Sequence, residues 1–260
     1  MKKEAKHPVR ASAKTLEIVE YLKENGGARI YELDDQFELS QSAIHNHIAT
    51  LREYGYVVKI DKVYHLSLKF LDIGGHLQNR DSLFRAAKPV LVELGRDLEG
   101  RIDLLVEENG EGVYLDREVS IQSENMTPHV GMRISLVTDP AGRTILAYLD
   151  AERVETILDR DPNPVPDDFE SSLKEIRDAG YTEGTTADDS ERKCVAAPII
   201  SEEDNIVGSL GISATTEGYN DALTDDSVAI VKKNADVIGR NLKSMNLRES
   251  WIKSSPVRDY

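Results

Sequence analysis

The chain has 260 residues, 40% of them apolar, with 47 Asp+Glu against 32 Lys+Arg. That length suits one large domain or two of ordinary size, and no run approaches the roughly 18 consecutive apolar residues of a membrane-spanning helix. The single cysteine, Cys194, excludes an intramolecular disulfide framework and any zinc finger needing two thiolates.

The basic start Met1-Lys2-Lys3-Glu4-Ala5-Lys6 has no apolar run behind it, so no secretory signal is expected and a cytoplasmic location is. The net charge of −15 is unevenly shared. Residues 1–80 hold 12 Lys+Arg against 11 Asp+Glu, and residues 81–260 hold 20 against 36. Five of the six histidines (His7, His45, His47, His65, His76) also fall in the first 80 residues. Such asymmetry predicts two modules with different partners. The acidic half also fits a high-salt cytoplasm, as in a halophilic archaeon, where screening removes self-repulsion.

In chain order, Leu16, Val19 and Leu22 are spaced by three and predict a helix over 12–24, stopped by Asn25-Gly26-Gly27. A short amphipathic helix follows over 30–37, with Leu33 and Phe37 at i, i+4. Glu38-Leu39-Ser40 reads as a turn, and Ser40 as the N-cap of a third helix over 41–54. There Ile44, Ile48 and Leu51 share a buried face, and Gly55 closes the helix. Two β-rich runs, 56–60 and 63–66, flank a tight turn at Asp61-Lys62. Three short helices and a hairpin make a winged helix-turn-helix over 8–70.

Residues 68–75 lead out of this unit into a linker over 71–85 and a helix ending at Gly100, in which Pro89 predicts a break or a start near Lys88. Strands are expected at 102–107, 112–117, 121–127 and 133–137. Helices are expected at 141–148, 151–158 and 167–178, then strands at 181–185, 193–200 and 206–214. Thr224 with Asp225 and Asp226 signals the start of a long helix running to about Lys243. Residues 247–260 read as a loose tail. The second module, 86–246, is therefore α+β with antiparallel strands, and a doubly wound parallel sheet is the runner-up.

Several segments share the order and spacing of one family. They are Ser42-Ala43-Ile44-His45-Asn46-His47-Ile48-Ala49-Thr50-Leu51 with Gly55-Tyr56-Val57, and Val113-Tyr114-Leu115-Asp116-Arg117. Gly142-Arg143 with Ile145-Leu146-Ala147 follows, then Ile176-Arg177-Asp178-Ala179-Gly180-Tyr181 and Arg192-Lys193-Cys194-Val195-Ala196-Ala197-Pro198. The chain resembles the IclR family of transcriptional regulators over about residues 9–246. The resemblance implies a winged helix, a linker helix and a GAF-like or profilin-like effector domain. It also implies a homodimer or homotetramer that binds double-stranded operator DNA under the control of an organic, sugar or aromatic acid.

A recognition helix needs side chains that both donate and accept hydrogen bonds to base edges. On the third helix Gln41, Ser42, Ala43, His45, Asn46, His47 and Thr50 are the candidates. Lys59 and Lys62 sit at the wing tip, and Arg10, with Lys2, Lys3 and Lys6, is placed to meet phosphates or a minor groove. Members of the family usually carry Arg or Lys at Asn46, so one guanine or phosphate contact is expected to be missing.

By the same resemblance the effector pocket falls on Gly131, Met132 and Thr138, then Gly184, Cys194, Gly211 and Ser213. Two departures stand out: Gly184 occupies a position where the family often has Asp, and Gly211 one where it often has Ser. Read without the family, Cys194 is a small buried hydrophobe, and Gly208 and Gly211 are packing or bulge positions. No cofactor, no metal site and no enzymatic activity are expected. His129, the only histidine beyond residue 80, makes with Cys194 an incomplete zinc set and at most a thiol hydrolase pair. The alternative function is a metabolite sensor or dimeric scaffold that uses the same folds without binding DNA.

Overall fold

The computed structural model describes residues 7–119, 129–187, 191–215 and 225–254. It divides into two compact units, Met1–Leu77 and Gln78–Tyr260.

The first unit contains α1 (Arg10–Glu24), α2 (Ile30–Gln36), α3 (Gln41–Glu53), β1 (Val57–Ile60) and β2 (Val63–Leu66). Its core is Ile18, Leu22, Ala28, Leu33, Ile44, Ile48, Leu51, Val57 and Tyr64. Of the i, i+3 set read on α1, Leu22 is buried and Val19 packs half-buried against the core, but Leu16 does not join them. Ile18 and Leu22 are buried, whereas Leu16 is 65% exposed. The capping signals hold: Ser40 Oγ accepts the Ala43 N–H at 3.3 Å, and Gly55 takes φ +77°. Asp61 and Lys62 both have positive φ, 46° and 71°, as a primed two-residue hairpin requires. Reciprocal backbone hydrogen bonds between Ala28 and Tyr64, 2.9 and 2.7 Å, stitch the α1–α2 loop to the wing.

The linker is helical. α4 (Lys69–Arg80) contains no buried residue and shows Leu71, Ile73 and Leu77, with Leu68 just before it, to solvent. Asp81 ends it and starts α5 (Ser82–Asp97), its carboxylate accepting the Phe84 N–H at 2.9 Å. The break expected at Pro89 does not occur. Pro89 lies on the exposed side, while Leu83, Ala86, Ala87, Val90, Leu91 and Leu94 bury the other side, and that packing outweighs one lost backbone hydrogen bond.

In the second unit β3 (Arg101–Glu108), β4 (Glu111–Val119), β5 (Arg133–Ile134), β6 (Thr182–Thr185), β7 (Arg192–Ile200) and β8 (Ile206–Thr215) form one sheet in the order β5-β4-β3-β8-β7-β6. Every pairing is antiparallel, which removes the doubly wound alternative. β5 is shorter than expected. The chain turns at Ser135, whose hydroxyl accepts the Val137 N–H and donates to Asp161 at 2.6 Å. The strand expected at 121–127 and the cap at Thr224 lie outside the described residues.

Alternation along the central strands gives the sheet two buried faces. Ile102, Leu104, Val195, Ala197, Ile199, Leu210, Ile212 and Ala214 pack with α5 and with α9 (Asp225–Ser254). On the other side lies α6 (Pro140–Leu146), backed by α7 (Ala151–Leu158) and α8 (Phe169–Ala179). α9 continues to Ser254, past the expected end near Lys243, so the segment read as a tail from 247 is helical over most of its length. No helix is long and apolar enough to cross a membrane among the described residues.

Candidate nucleic-acid interface and effector site

α3 sorts its side chains cleanly. Ile44, Ile48 and Leu51 are buried, and Gln41, Ser42, His45, Asn46, Ala49 and Thr50 are exposed. The burial pattern thus leaves an N-terminal turn of small and amide-bearing residues open to solvent, as major-groove entry needs. Not every candidate offers its polar group. His47 is half-buried, and its Nδ1 is 2.8 Å from Thr15 Oγ1, so the ring braces α1 against α3. The Thr50 hydroxyl donates to the Asn46 carbonyl at 2.9 Å, and Ser42 Oγ shares a hydrogen with Ser40 Oγ at 3.1 Å. Ala43 is half-buried and brings only its methyl. Gln41, His45 and Asn46 stay open to solvent.

At the wing, Lys59 and Lys62 are exposed, and the Lys59 ammonium sits 5.1 Å from the centre of the Tyr64 ring, which fixes its stem. Arg10 is exposed at the first residue of α1. Lys2, Lys3 and Lys6 lie outside the described residues. Arg29 and Arg52, exposed at the ends of α2 and α3, are cations that the sequence reading did not include. Their positions next to helix caps were the available signal.

In the second unit the register brings three of the seven pocket candidates into one row. Gly184 pairs with Cys194, Cys194 with Ser213, and Ser213 with Arg101. Gly211 stands in the neighbouring row between Asp103 and Ala196, and a Cβ there would lie 3.4 Å from Cys194 Sγ. Cys194 and Ser213 are buried, and the Ser213 hydroxyl has no hydrogen-bond partner. The other candidates are elsewhere. Gly131 and Thr138 are exposed and Met132 is half-buried, all on the approach to α6. Gly184 is not open floor, because a Cβ there would come within 3.0 Å of Pro140 Cγ.

The same face carries buried charges. Asp103 accepts from Arg101 Nε at 2.8 Å and from Arg117 Nε at 2.5 Å, and the Arg117 guanidinium stacks 4.1 Å above the Tyr114 ring. Asp139 caps α6. Its Oδ1 accepts the N–H groups of Ala141 and Gly142, and its Oδ2 that of Ala187 at 3.1 Å. Burial pushes the Asp139 carboxyl up to about 6, helped by the Asp103 charge and opposed by those three N–H groups. α6 sits hard on the chain before it: a Cβ on Gly142 would meet Leu136 Cα at 2.6 Å, so only glycine fits there. The sequence reading gave no site role to Arg101, Asp103 or Asp139, and took Arg117 and Arg143 only as part of the family's segments. Charged residues at alternate positions of an apolar strand, as at 101 and 103, were the signal for the first two. Among the described residues no cluster of His, Cys, Asp and Glu has the geometry of a metal site.

The model of the bacterial transcriptional regulator IclR C-terminal domain matches residues 75–240, nearly two thirds of the chain, and a helix-turn-helix domain model matches residues 14–64. The chain belongs to the IclR family. Among the relatives of this IclR-family chain is the "Probable HTH-type transcriptional regulator ArcR" of Halobacterium salinarum, 26% identical over 242 residues that cover 88% of this chain and 92% of that protein. The solved structure of the Thermotoga maritima IclR shares 24% identity over 91% of this chain and all of its own, with a TM-score of 0.73. An IclR homologue from Microbacterium hydrocarbonoxydans, solved in complex with 4-hydroxybenzoate, has a TM-score of 0.70 at 19% identity over 84% of this chain and 92% of its own. The protein is an IclR-type transcriptional regulator with a DNA-binding helix-turn-helix and an effector-binding α+β domain, and the family is one of regulators rather than enzymes.

Proposed function

We propose that this IclR-family regulator binds a double-stranded operator as a homodimer or homotetramer and releases or tightens it in response to a small organic, sugar or aromatic acid. The DNA-reading unit is the winged helix over 8–70, the linker spans 71–85 and the effector unit 86–246. Gln41, His45 and Asn46 read base edges, Ser42, Ala43 and Thr50 approach them closely, and Lys59, Lys62 and Arg10 meet the backbone. The effector is held on the α6 face by Cys194, Ser213 and Gly211, with Gly131, Met132 and Thr138 at its edge. The observation that carries this reading is Ser213, a fully buried hydroxyl with no partner, in a domain joined to an exposed recognition helix. A buried polar group left unpaired costs on the order of 1–3 kcal/mol and is retained where something else satisfies it.

The exposed Leu71, Ile73 and Leu77 of the linker, with Leu68 just before it and Leu16 on α1, support self-association, because a two-fold protein reads a two-fold operator. DNA binding sets its working place in the cytoplasm, and the acidic effector unit suits a high-salt one. The test begins with a duplex enriched by the full-length protein from a randomised pool. Binding to that duplex is then measured with and without a panel of acids that includes pyruvate and 4-hydroxybenzoate. The account predicts that at least one acid changes the affinity, and that Ser213→Trp keeps DNA binding but loses the response. A response that survives in Ser213→Trp places the effector elsewhere.

A further inference from the structure

The linker helix is fastened to the recognition helix at its first turn. α3 ends at Tyr54, whose carbonyl accepts a hydrogen bond from Lys69 Nζ at 2.8 Å. That carbonyl lies at the negative end of the helix dipole, where an ammonium is favoured. The same ammonium sits 4.5 Å from the centre of the Tyr56 ring, and the Phe70 ring packs on Tyr56 with centroids 5.3 Å apart. Ser67 adds bonds in both directions. Its N–H donates to the Tyr56 carbonyl at 2.9 Å, and its hydroxyl donates to the Gly55 carbonyl and accepts the Lys69 N–H at 3.2 Å. Tyr54, Gly55 and Tyr56, which close α3, are thus each held by Ser67, Lys69 or Phe70, which lead into α4. α4 buries none of its residues, which leaves this joint to set its direction. From Lys69 to Leu77 the helix rises about 12 Å, so a tilt of about 15° at the joint displaces Leu77 by about 3 Å. One base-pair step is about 3.4 Å, with half-sites about 34–36 Å apart at one helical turn.

We propose that Ser67, Lys69 and Phe70 clamp the linker helix at a fixed angle to the recognition helix, and that this clamp selects the spacing between the half-sites of the operator. This rests on the reading that two copies of the chain bind a two-fold operator, and it adds the residues that decide how far apart their α3 helices land. Ser67, Lys69 and Phe70 are positioning residues that act through α3, and α3 keeps the choice of half-site sequence. A small change of angle is enough, because a displacement of about one base-pair step turns a fitted spacing into a misfit.

The test is enrichment from a randomised duplex pool by the full-length protein and two variants. Lys69→Met keeps an apolar stem and loses the ammonium, and Lys69→Arg restores a donor and a cation over Tyr56. The unaltered protein enriches paired half-sites at one spacing. Lys69→Met enriches the same half-site at several spacings. Its preference for the best spacing over one a base pair longer or shorter falls about fivefold, the weight of one lost hydrogen bond. Adding Ser67→Ala broadens the spacing further, and Lys69→Arg alone keeps it single. An unchanged spacing in the Ser67→Ala, Lys69→Met double variant overturns the proposal. Loss of the half-site itself in Lys69→Met also overturns it, because the joint then supports α3 and nothing more. Unpaired half-sites from the unaltered protein overturn the two-fold reading together with the proposal, so the two failures are distinguishable.

Discussion

Asp139 Oδ2 accepts the backbone N–H of Ala187 at 3.1 Å, so one carboxylate ties the N-terminus of α6 to the chain leaving β6. Its partner oxygen holds the first turn of α6 through Ala141 and Gly142. This side chain therefore fixes the element that covers the candidate effector row, and it does so while almost fully buried.

That burial makes folding pH-dependent. The Asp139 pKa stands at about 6 against an ordinary 3.8, so between these values the folded chain holds more protons than the unfolded chain. The contribution of this group to stability falls as pH rises through that window and is level above about pH 7. A shift of about two units corresponds to roughly 3 kcal/mol. Asp139→Asn keeps one acceptor oxygen and cannot ionise, so its stability relative to the unaltered protein should rise by about 2–3 kcal/mol between pH 4.5 and 7.5. Urea unfolding of both proteins across that range checks the sign; a flat or falling difference contradicts the account.

Self-association should depend on α4. Its exposed Leu71, Ile73 and Leu77 put apolar surface in water on more than one side of the helix, and a second copy of the chain is the partner that a two-fold operator reader needs. Leu71→Glu with Leu77→Glu should shift the protein toward monomer at tens of micromolar concentration and weaken operator binding at least tenfold. Light scattering that shows a monomer for the unaltered protein removes this expectation.

Salt should act in opposite senses on folding and on DNA binding. The 36 carboxylates of residues 81–260 repel one another where the Debye length is about 30 Å, at 0.01 M, and much less where it is about 3 Å, at 1 M. The melting temperature should rise from 0.1 to 2 M KCl. Each neutralised phosphate contributes a slope of about −0.9 in log K against log salt, and the near-neutral first 80 residues imply few of them. A shallow DNA slope is expected. A melting temperature that falls with salt contradicts the high-salt reading, and a steep negative slope means a larger basic surface than Lys59, Lys62 and Arg10 supply.

How far these features were legible depended on whether a local signal announced them. Ser40, Gly55 and the Asp61-Lys62 turn each name a backbone conformation through their own chemistry, and the winged helix followed from them. α4 was less visible because Gly74 and Gly75 interrupt it and none of its residues is buried. Pro89 misled because proline reports a local cost, whereas the burial of Leu83, Val90 and Leu91 that outweighs it is tertiary. At the effector face, the residue types at Cys194 and Ser213 suggested a pocket only through the family. Their alignment in one row with Gly184 comes from strand register, and register is set by contacts far apart in sequence. Asp139 was hidden for a simpler reason: a cap one residue before Pro140 resembles any Asx turn until Ala187 is brought to it.

The central claim is that the exposed face of α3 selects the DNA sequence. The direct measurement is enrichment from a randomised duplex pool by the full-length protein and by a variant in which Gln41, Ser42 and Asn46 are all Ala. These residues are exposed and distant from the buried Ile44, Ile48 and Leu51, so the variant should fold. The account predicts a two-fold symmetric motif enriched by the unaltered protein. The variant should enrich none, while retaining weak, salt-sensitive binding through its backbone contacts. The same motif enriched by both proteins would contradict the claim and move sequence readout to another surface.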